Sequence, residues 1–240
     1  GFISITVRKA SGVSMDLDDF DRAGLFSEVR AKGLHEEIDA ALLARRAAGD
    51  WKAFFRLAVE AKKNILISGA TGSGKTSFSK GLIKLIPDHE RILTIEDTRE
   101  LVVPQRNRVH MMYAKDGKGL QKVGAKELLE SALRMRPDRI LLQELRDGTA
   151  FFYLRNVNSG HPGSITTVHA NTAEGALEQL TLLVKESDGG SDLDRHDIRA
   201  LLRSLVDIVV QMDRLPPRDG QPARYRMTEV WFDPAGKPRD

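Results

Sequence analysis

Residues 64–76 read "NILISGATGSGKT". The first six are a short apolar run, the pattern of a strand buried on both faces. Gly69, Gly72 and Gly74 follow, then Lys75 and Thr76, and "KTSFSKGLIKLI" (75–86) continues with helical spacing. A glycine-rich turn between a strand and a helix is a cradle for phosphate. The glycines let the backbone curl so that its N–H groups point inward, and the helix N-terminus adds positive potential. Lys75 is placed to reach β- and γ-phosphates, and the Thr76 hydroxyl to hold Mg²⁺. The nucleotide-binding stretch is therefore Gly69, Ala70, Thr71, Gly72, Ser73, Gly74, Lys75, Thr76 and Ser77. A chance match would lack the flanking strand and helix.

Three more short apolar runs lie downstream: "RILTIED" (91–97), "RILLQE" (139–144) and "SITTVHA" (164–170). Amphipathic stretches accompany them, "AKELLESALRM" (125–135) and "TAEGALEQLTLLV" (172–184). Alternation of this kind predicts an α/β fold with a mainly parallel sheet and helices on both faces. "DIVVQMD" (207–213) and "YRMTEVWFD" (225–233) read as closing strands, with antiparallel pairing at an edge. In such sheets ligands bind beyond the strands' carboxyl ends, so the residues that end each strand carry the functional reading.

The second run ends in Glu96, Asp97 and Glu100. Carboxylates crowded together repel one another unless a cation or a water network is present. Beside a phosphate loop they suit an attacking water or the metal's water shell; alone, they would be a solvated loop. The third run ends in Glu144, followed by Arg146. An acid at the lip of an apolar strand lies near Mg²⁺ or its water, and Pro137 stops the preceding helix. The fourth run ends at His169. A lone strand-end histidine is more often structural, but here Thr166, Thr167 and His169 are expected near the same crevice, where an imidazole can bond the γ-phosphate or a carboxylate and register whether phosphate is present. Asn171 is expected to cap the next helix with Glu174 as box partner, and His161 to be structural. Arg8, Arg134, Arg136, Arg139 and Arg146 supply guanidinium groups of the kind phosphoryl transfer uses.

Composition narrows the function classes. The 240 residues are 41% hydrophobic and 30% charged, as in ordinary globular proteins. Lys and Arg number 37 against 34 Asp and Glu, with no basic tail for nucleic acid. Aromatics are 6%, too few to advertise a base-stacking groove. The absence of cysteine excludes disulfides and thiolate metal sites. No apolar run nears the roughly 20 residues that span a bilayer, and no signal peptide is visible. "FISITVRKAS" (2–11) alternates like a half-buried strand, and a lone strand does not fold alone. Residues 1–11 are therefore expected to be the last strand of a truncated N-terminal domain, 12–50 a helical linker, and 51–240 the main domain. "HEEIDAALLARRAAGD" (35–50) and "WKAFFRLAVEAKK" (51–63) are helical by spacing, with Gly49 a stop between them.

Four stretches, in this order, resemble the boxes of the secretion ATPase superfamily of type IV secretion, type II secretion and type IV pili. "GATGSGKT" is similar to its Walker A box, "TIEDTREL" to its Asp box, "RMRPDRILLQELRD" to its Walker B box and "GHPGSITTVHAN" to its His box. The resemblance covers about residues 52–213, and the wording is closest to the type IV secretion branch. It implies a RecA-like P-loop NTPase domain and an ATP-hydrolysing, Mg²⁺-dependent motor that powers transport or assembly. It also implies a homohexameric ring and inner-membrane machine components as partners. The expected location is cytoplasmic and peripheral to the inner membrane, with no specific nucleic acid. In that family's roles Lys75 and Thr76 serve phosphate and Mg²⁺, Glu100 takes part in water activation, and Glu144 lies near the metal. His169 senses the γ-phosphate, and Arg8 and Arg146 are the nucleotide-binding arginines. Two lip positions where the family often has Gly carry Gln143 and Asp147. The alternatives are a pilus or type II motor, which the missing tetracysteine insertion disfavours in its type II assembly form, and a RecA-like nucleic-acid motor, against which charge and aromatic content argue. A scaffold that binds nucleotide without hydrolysing it is the remaining reading.

Overall fold

The computed structural model describes residues 4–7, 15–27, 36–114, 123–146, 148–187, 189–217 and 223–237. The chain divides into two compact units, Gly1–Phe54 and Phe55–Asp240.

In the first unit, helix α1 (Leu17–Arg22) is opened by Asp16, whose carboxylate accepts from the Asp19 N–H while Asp19 bonds back. Helix α2 (Glu36–Ala47) buries Leu42, and Gly49, at φ +68°, turns the chain after it. Helix α3 (Trp51–Glu60) then starts on Asp50, whose carboxylate accepts from the Ala53 N–H at 3.0 Å. Residues 4–7 depart from the expected strand: they pair with nothing among the described residues, and Ile5 and Val7 are 80% and 83% exposed. An alternating pattern buries one face only when a neighbouring strand closes its backbone hydrogen bonds. Arg8 lies outside the described residues.

The second unit runs β1 (Ile65–Gly69), α4 (Lys75–Ile83), β2 (Ile92–Glu96), β3 (Arg108–Met112), α5 (Ala125–Leu133), β4 (Arg139–Leu142), α6 (Thr149–Asn158), β5 (Ile165–Val168), α7 (Ala173–Lys185), α8 (Arg195–Leu205), β6 (Ile208–Leu215) and β7 (Arg224–Trp231). Hydrogen bonds order the strands β5-β1-β6-β7 and β3-β2-β4. A single parallel bridge, Glu144 to Thr167, joins the two sets where β4 and β5 run out side by side. All described ladders are parallel except β6–β7. Strand β6 is thus parallel to β1, and only the edge strand β7 reverses.

The apolar runs have a simple cause. Every residue of β1, β2, β4 and β5 is buried, as strands sandwiched between helices must be. Leu66, Leu93, Ile95, Ile140, Leu142, Val168 and Val209 join residues of α5, α6, α7 and α8 in one buried cluster. Their strand neighbours Ile65, Ile67, Ile92 and Ile208 are buried outside it, as are Leu82 and Ile83 of α4 and Phe55 and Val59 of α3. Successive strand residues face opposite sides, so the sheet is covered on both. The edge strand β3 is only half buried.

At the amino-terminal ends of the strands, polar groups are buried and paired. Arg139, fully buried, donates through Nε and Nη2 to Glu90 at 2.7 and 2.9 Å, and to the Val59 and Gly163 carbonyls. Burial pushes the Glu90 carboxyl up, but the Arg139 hydrogen bonds and charge, with Lys62, outweigh it and hold it below the usual range. Asn64 ties β1 to its neighbours: its carbonyl accepts from Gly163 and Ser164 N–H, and its amide donates to the Leu205 carbonyl.

Two local expectations shift. Helix α7 is capped by Thr172, not Asn171; the Thr172 hydroxyl accepts from the Gly175 N–H at 2.9 Å. Glu174 is no box partner but binds Arg199 and Arg203 of α8. The register slips by one because Glu229 of β7 takes the Ala173 N–H at 2.9 Å, fixing where the helix begins.

Candidate functional site

The parallel pairing brings the carboxyl ends of β1, β2, β4 and β5 to one edge. There a cleft of about 440 Å³ opens, lined by Thr71, Gly72, Lys75, Thr76, Asp97, Glu100, Gln143, Glu144, Arg146, Thr167 and His169 among others. That volume is in the range of small-ligand sites.

The loop after β1 owes its shape to glycine. At Gly69 a Cβ would lie 2.4 Å from both the Met212 carbonyl oxygen and Ser73 Oγ. Gly74 caps α4 at φ +92° with no side-chain bond, and a Cβ there would press on the Tyr225 ring at 3.1 Å. Both positions therefore exclude a side chain. With no side chain capping α4, the N–H groups of its first turn are left to an incoming anion.

Lys75 is 7% exposed and donates from Nζ to the carbonyls of Gly69 at 2.7 Å and Ala70 at 2.9 Å. Burial lowers its pKa, partly offset by the charge of Glu144. Nζ also lies 3.4 Å from His169 Nδ1, and His169 Nε2 lies 2.6 Å from Glu144 Oε1. The partners choose the tautomer: Nδ1 accepts from an ammonium, so Nε2 carries the proton and donates to the carboxylate. Glu144 Oε2 is 3.8 Å from Arg146 Nη1, and Arg146 Nη2 binds Asp97. Lysine, imidazole, carboxylate, guanidinium and carboxylate form one continuous chain along the rim. Glu144 owes its place to the junction of β4 and β5, where the Leu145 N–H donates to the Thr167 carbonyl at 2.8 Å.

The other predicted residues fall as follows. Glu100 is exposed at the cleft. Glu96 is fully buried and does not line the cleft, so the acids after β2 do not act as a trio. Thr76 lines the cleft, Ser77 is exposed on the first turn of α4, and the Ser73 hydroxyl is buried with no partner among the described residues. Of the arginines, Arg146 reaches the cleft. Arg139 is the buried partner of Glu90, and Arg134 ends α5, just before Arg136 at φ +53°. Gln143 lines the cleft with its Oε1 buried and without a partner among the described residues; Asp147 lies outside them. Among the described residues no helix is long and apolar enough to cross a membrane.

The family described as type II/IV secretion system protein matches residues 42–226. The chain is 58% identical over 244 residues to the type IV secretion system protein VirB11 of Bartonella henselae, covering 97% of this chain and 67% of that protein. It is 41% identical over 242 residues to VirB11 of Brucella suis, covering 99% and 66%. It superposes with a TM-score of 0.83 at 39% identity on the crystal structure of the VirB11 ATPase from the Brucella suis type IV secretion system in complex with sulphate, covering 95% of this chain and 67% of that one. The pilus retraction motor PilT with bound ADP gives a TM-score of 0.58 at 25% identity, over 73% of this chain and 48% of that one. The fold is therefore RecA-like, and the chain spans about two thirds of the length of its VirB11 relatives.

Proposed function

The chain belongs to the type II/IV secretion system protein family, and on that footing we propose that it hydrolyses ATP to power a bacterial type IV secretion machine. One observation carries the reading: Lys75, His169, Glu144 and Arg146 follow one another in a chain of contacts along a cleft that the glycine-rich loop also lines.

The chemistry follows from what each group can do. The N–H groups after Gly69 and the Lys75 ammonium hold the β- and γ-phosphates. Lys75 Nζ donates to two loop carbonyls and lies against His169; a phosphate oxygen is a stronger acceptor than a carbonyl. Thr76 and Glu144 are the residues that would hold Mg²⁺, an ion that takes few protein ligands beside phosphate and water. The donor set is all oxygen, which suits that ion; when bound it neutralises charge on the phosphates. Glu100, exposed on the cleft, takes part in activating the attacking water. His169 lies between Lys75 and Glu144, so entry of a γ-phosphate disturbs both of its hydrogen bonds and registers occupancy. Arg146 balances the charge of Glu144 and Asp97.

We also propose self-association into a six-membered ring, with the protein held peripherally at the inner membrane by other machine components. Both rest on the family relationship. The choice of a type IV secretion system over a pilus motor rests on 58% identity to one and 25% to the other.

The test is a pair of variants. Lys75→Ala is expected to abolish nucleotide binding or turnover. Glu144→Gln is expected to retain ATP while turnover falls by about 10²–10³-fold, the usual cost of losing one preorganised group. Near-normal hydrolysis in both variants would remove the proposal.

A further inference from the structure

We infer that Glu96 is a positioning residue for hydrolysis: its buried carboxylate clamps the backbone of the loop that carries Glu100 and so fixes that side chain at the cleft. The inference rests on the role given to Glu100 above and adds the device that places it.

The chain leaves β2 at Glu96 and must turn before reaching Leu101, which is again buried. Residues 97–100 belong to no helix or strand, so their N–H groups have no ladder to join. Glu96 Oε1 accepts from the Glu100 N–H at 2.9 Å and from the Leu101 N–H at 2.7 Å. One oxygen thus closes a four-residue loop at its far end, with Leu101 as the apolar plug and Glu100, next door, exposed.

The other oxygen is held from behind. The Thr94 hydroxyl donates to Glu96 Oε2 at 2.9 Å. That hydroxyl has a single proton, so the 2.8 Å contact between Thr94 Oγ1 and His110 Nδ1 is filled by the imidazole N–H. His110 comes from β3, and the β3 side of the clamp is locked again where the Tyr113 N–H meets the Glu96 carbonyl at 3.0 Å. The carboxylate accepts three hydrogen bonds at full burial. Such charge-assisted bonds to backbone N–H are about twice as strong as neutral ones. An apolar side chain at 96 would leave two N–H groups and a hydroxyl without an acceptor, and the loop free to drift. A misplacement of about 1 Å at a reacting group costs on the order of 10²-fold in rate.

The experiment is steady-state ATP hydrolysis by the intact protein carrying E96A, E96Q, E100Q or E96A with E100Q, with ADP·Mg²⁺ binding measured alongside. E96A is expected to lower kcat about as far as E100Q, on the order of 10²-fold, with KM and ADP affinity changed by less than about threefold. The double variant is expected to be no slower than either single one, because residues that act as a unit are not additive. E96Q keeps an acceptor at Oε1 and is expected to recover most of the rate. Amide hydrogen exchange at Glu100 and Leu101 should accelerate in E96A while the β2 amides stay protected. If E96A does not fold, Thr94→Val, which removes the donor to Oε2 and the acceptor of the His110 N–H but leaves both bonds to Oε1, takes its place and should show a smaller loss, again not additive with E100Q. Multiplicative losses in the double variant, or a slow E100Q beside a normal E96A, would overturn the positioning role. So would an E96Q as slow as E96A with its two amides still protected, since charge would then matter and the clamp would not. A wild-type rate in E100Q overturns the role of Glu100 and the positioning built on it; failure of the clamp alone shows separately, as unchanged exchange in E96A.

Discussion

The two ends of the parallel sheet each carry an arginine facing a glutamate, and the pairs are opposites in all but chemistry. At the amino-terminal end Arg139 and Glu90 have side chains 0% and 3% exposed, and two carbonyls take two more of the arginine's donors. At the carboxyl end Arg146 and Glu144 are 36% and 23% exposed, 3.8 Å apart, and shared with Asp97 and His169. The first pair is closed. The second is a loose chain with room for a ligand to rearrange it. Residue type alone does not separate structure from function; the surplus of acceptors and the access to solvent do.

The largest expected effect tests the closed pair. Arg139→Met leaves the Glu90 carboxylate buried with, among the described residues, only Lys62 as a cation at 3.6 Å. Breaking a buried pair from one side costs about 3–5 kcal/mol, read as a shift of the urea midpoint, while replacing both partners with apolar residues should recover most of it. A loss under about 1 kcal/mol would mean the two ends do not differ as claimed. Arg146→Ala is the mirror image. Stability should fall by less than in Arg139→Met, because these groups are half-buried and water reaches them, while the rate of ATP hydrolysis falls on the order of 10²-fold, or about 2.7 kcal/mol of barrier.

This contrast was only partly legible in the sequence. The runs of β1, β2, β4 and β5 declare themselves because both faces are buried, and a parallel sheet then fixes which ends meet. Lys75, Glu144 and His169 follow directly, each ending or following such a run. Strand β3, "RVHMM", has no such signature, because an edge strand need bury only part of its surface. Without β3 there is no His110 behind Glu96, so nothing in "TIEDTREL" tells that Glu96 turns inward while Glu100 faces the cleft. Helix α6, "TAFFYLRNVN", is rich in aromatic and β-branched residues whose local preference is for strands; packing of Ala150, Tyr153, Leu154 and Val157 overrides it. Helix α8 does carry its signal, with Ile198, Leu201, Leu202 and Leu205 at helical spacing, but it follows a polar turn that reads as loop.

Acid sharpens the comparison. The Glu90 carboxyl is held below its ordinary 4.5 in the folded protein, where Arg139 outweighs burial. The unfolded chain therefore binds the proton first as pH falls. The stabilisation is fully present above about 4.5 and is lost as pH drops through the depressed folded value. Glu90→Gln should lower stability at neutral pH and flatten its decline in acid, measured by denaturation at a series of pH values. If the acid limb keeps its slope, the closed pair is not what titrates there.

The smallest effect marks where function stops at the carboxyl end itself. Thr172 stands three residues beyond His169, close to the site in sequence, yet its hydroxyl only caps α7 through the Gly175 N–H. Thr172→Ala should cost about 1 kcal/mol, the usual value of a helix cap, or a fall of roughly 2–4 °C in Tm for a chain of this size. Its kcat should stay within about twofold, because among the described residues no hydrogen bond or ion pair joins it to the chain from Lys75 to Asp97. Asn171→Ala, one residue earlier and exposed, should change stability by less than about 0.5 kcal/mol, as exposed substitutions away from caps do. Thermal melts of the two variants side by side decide between adjacent caps, and a larger loss at 171 would restore the register that the sequence alone suggests.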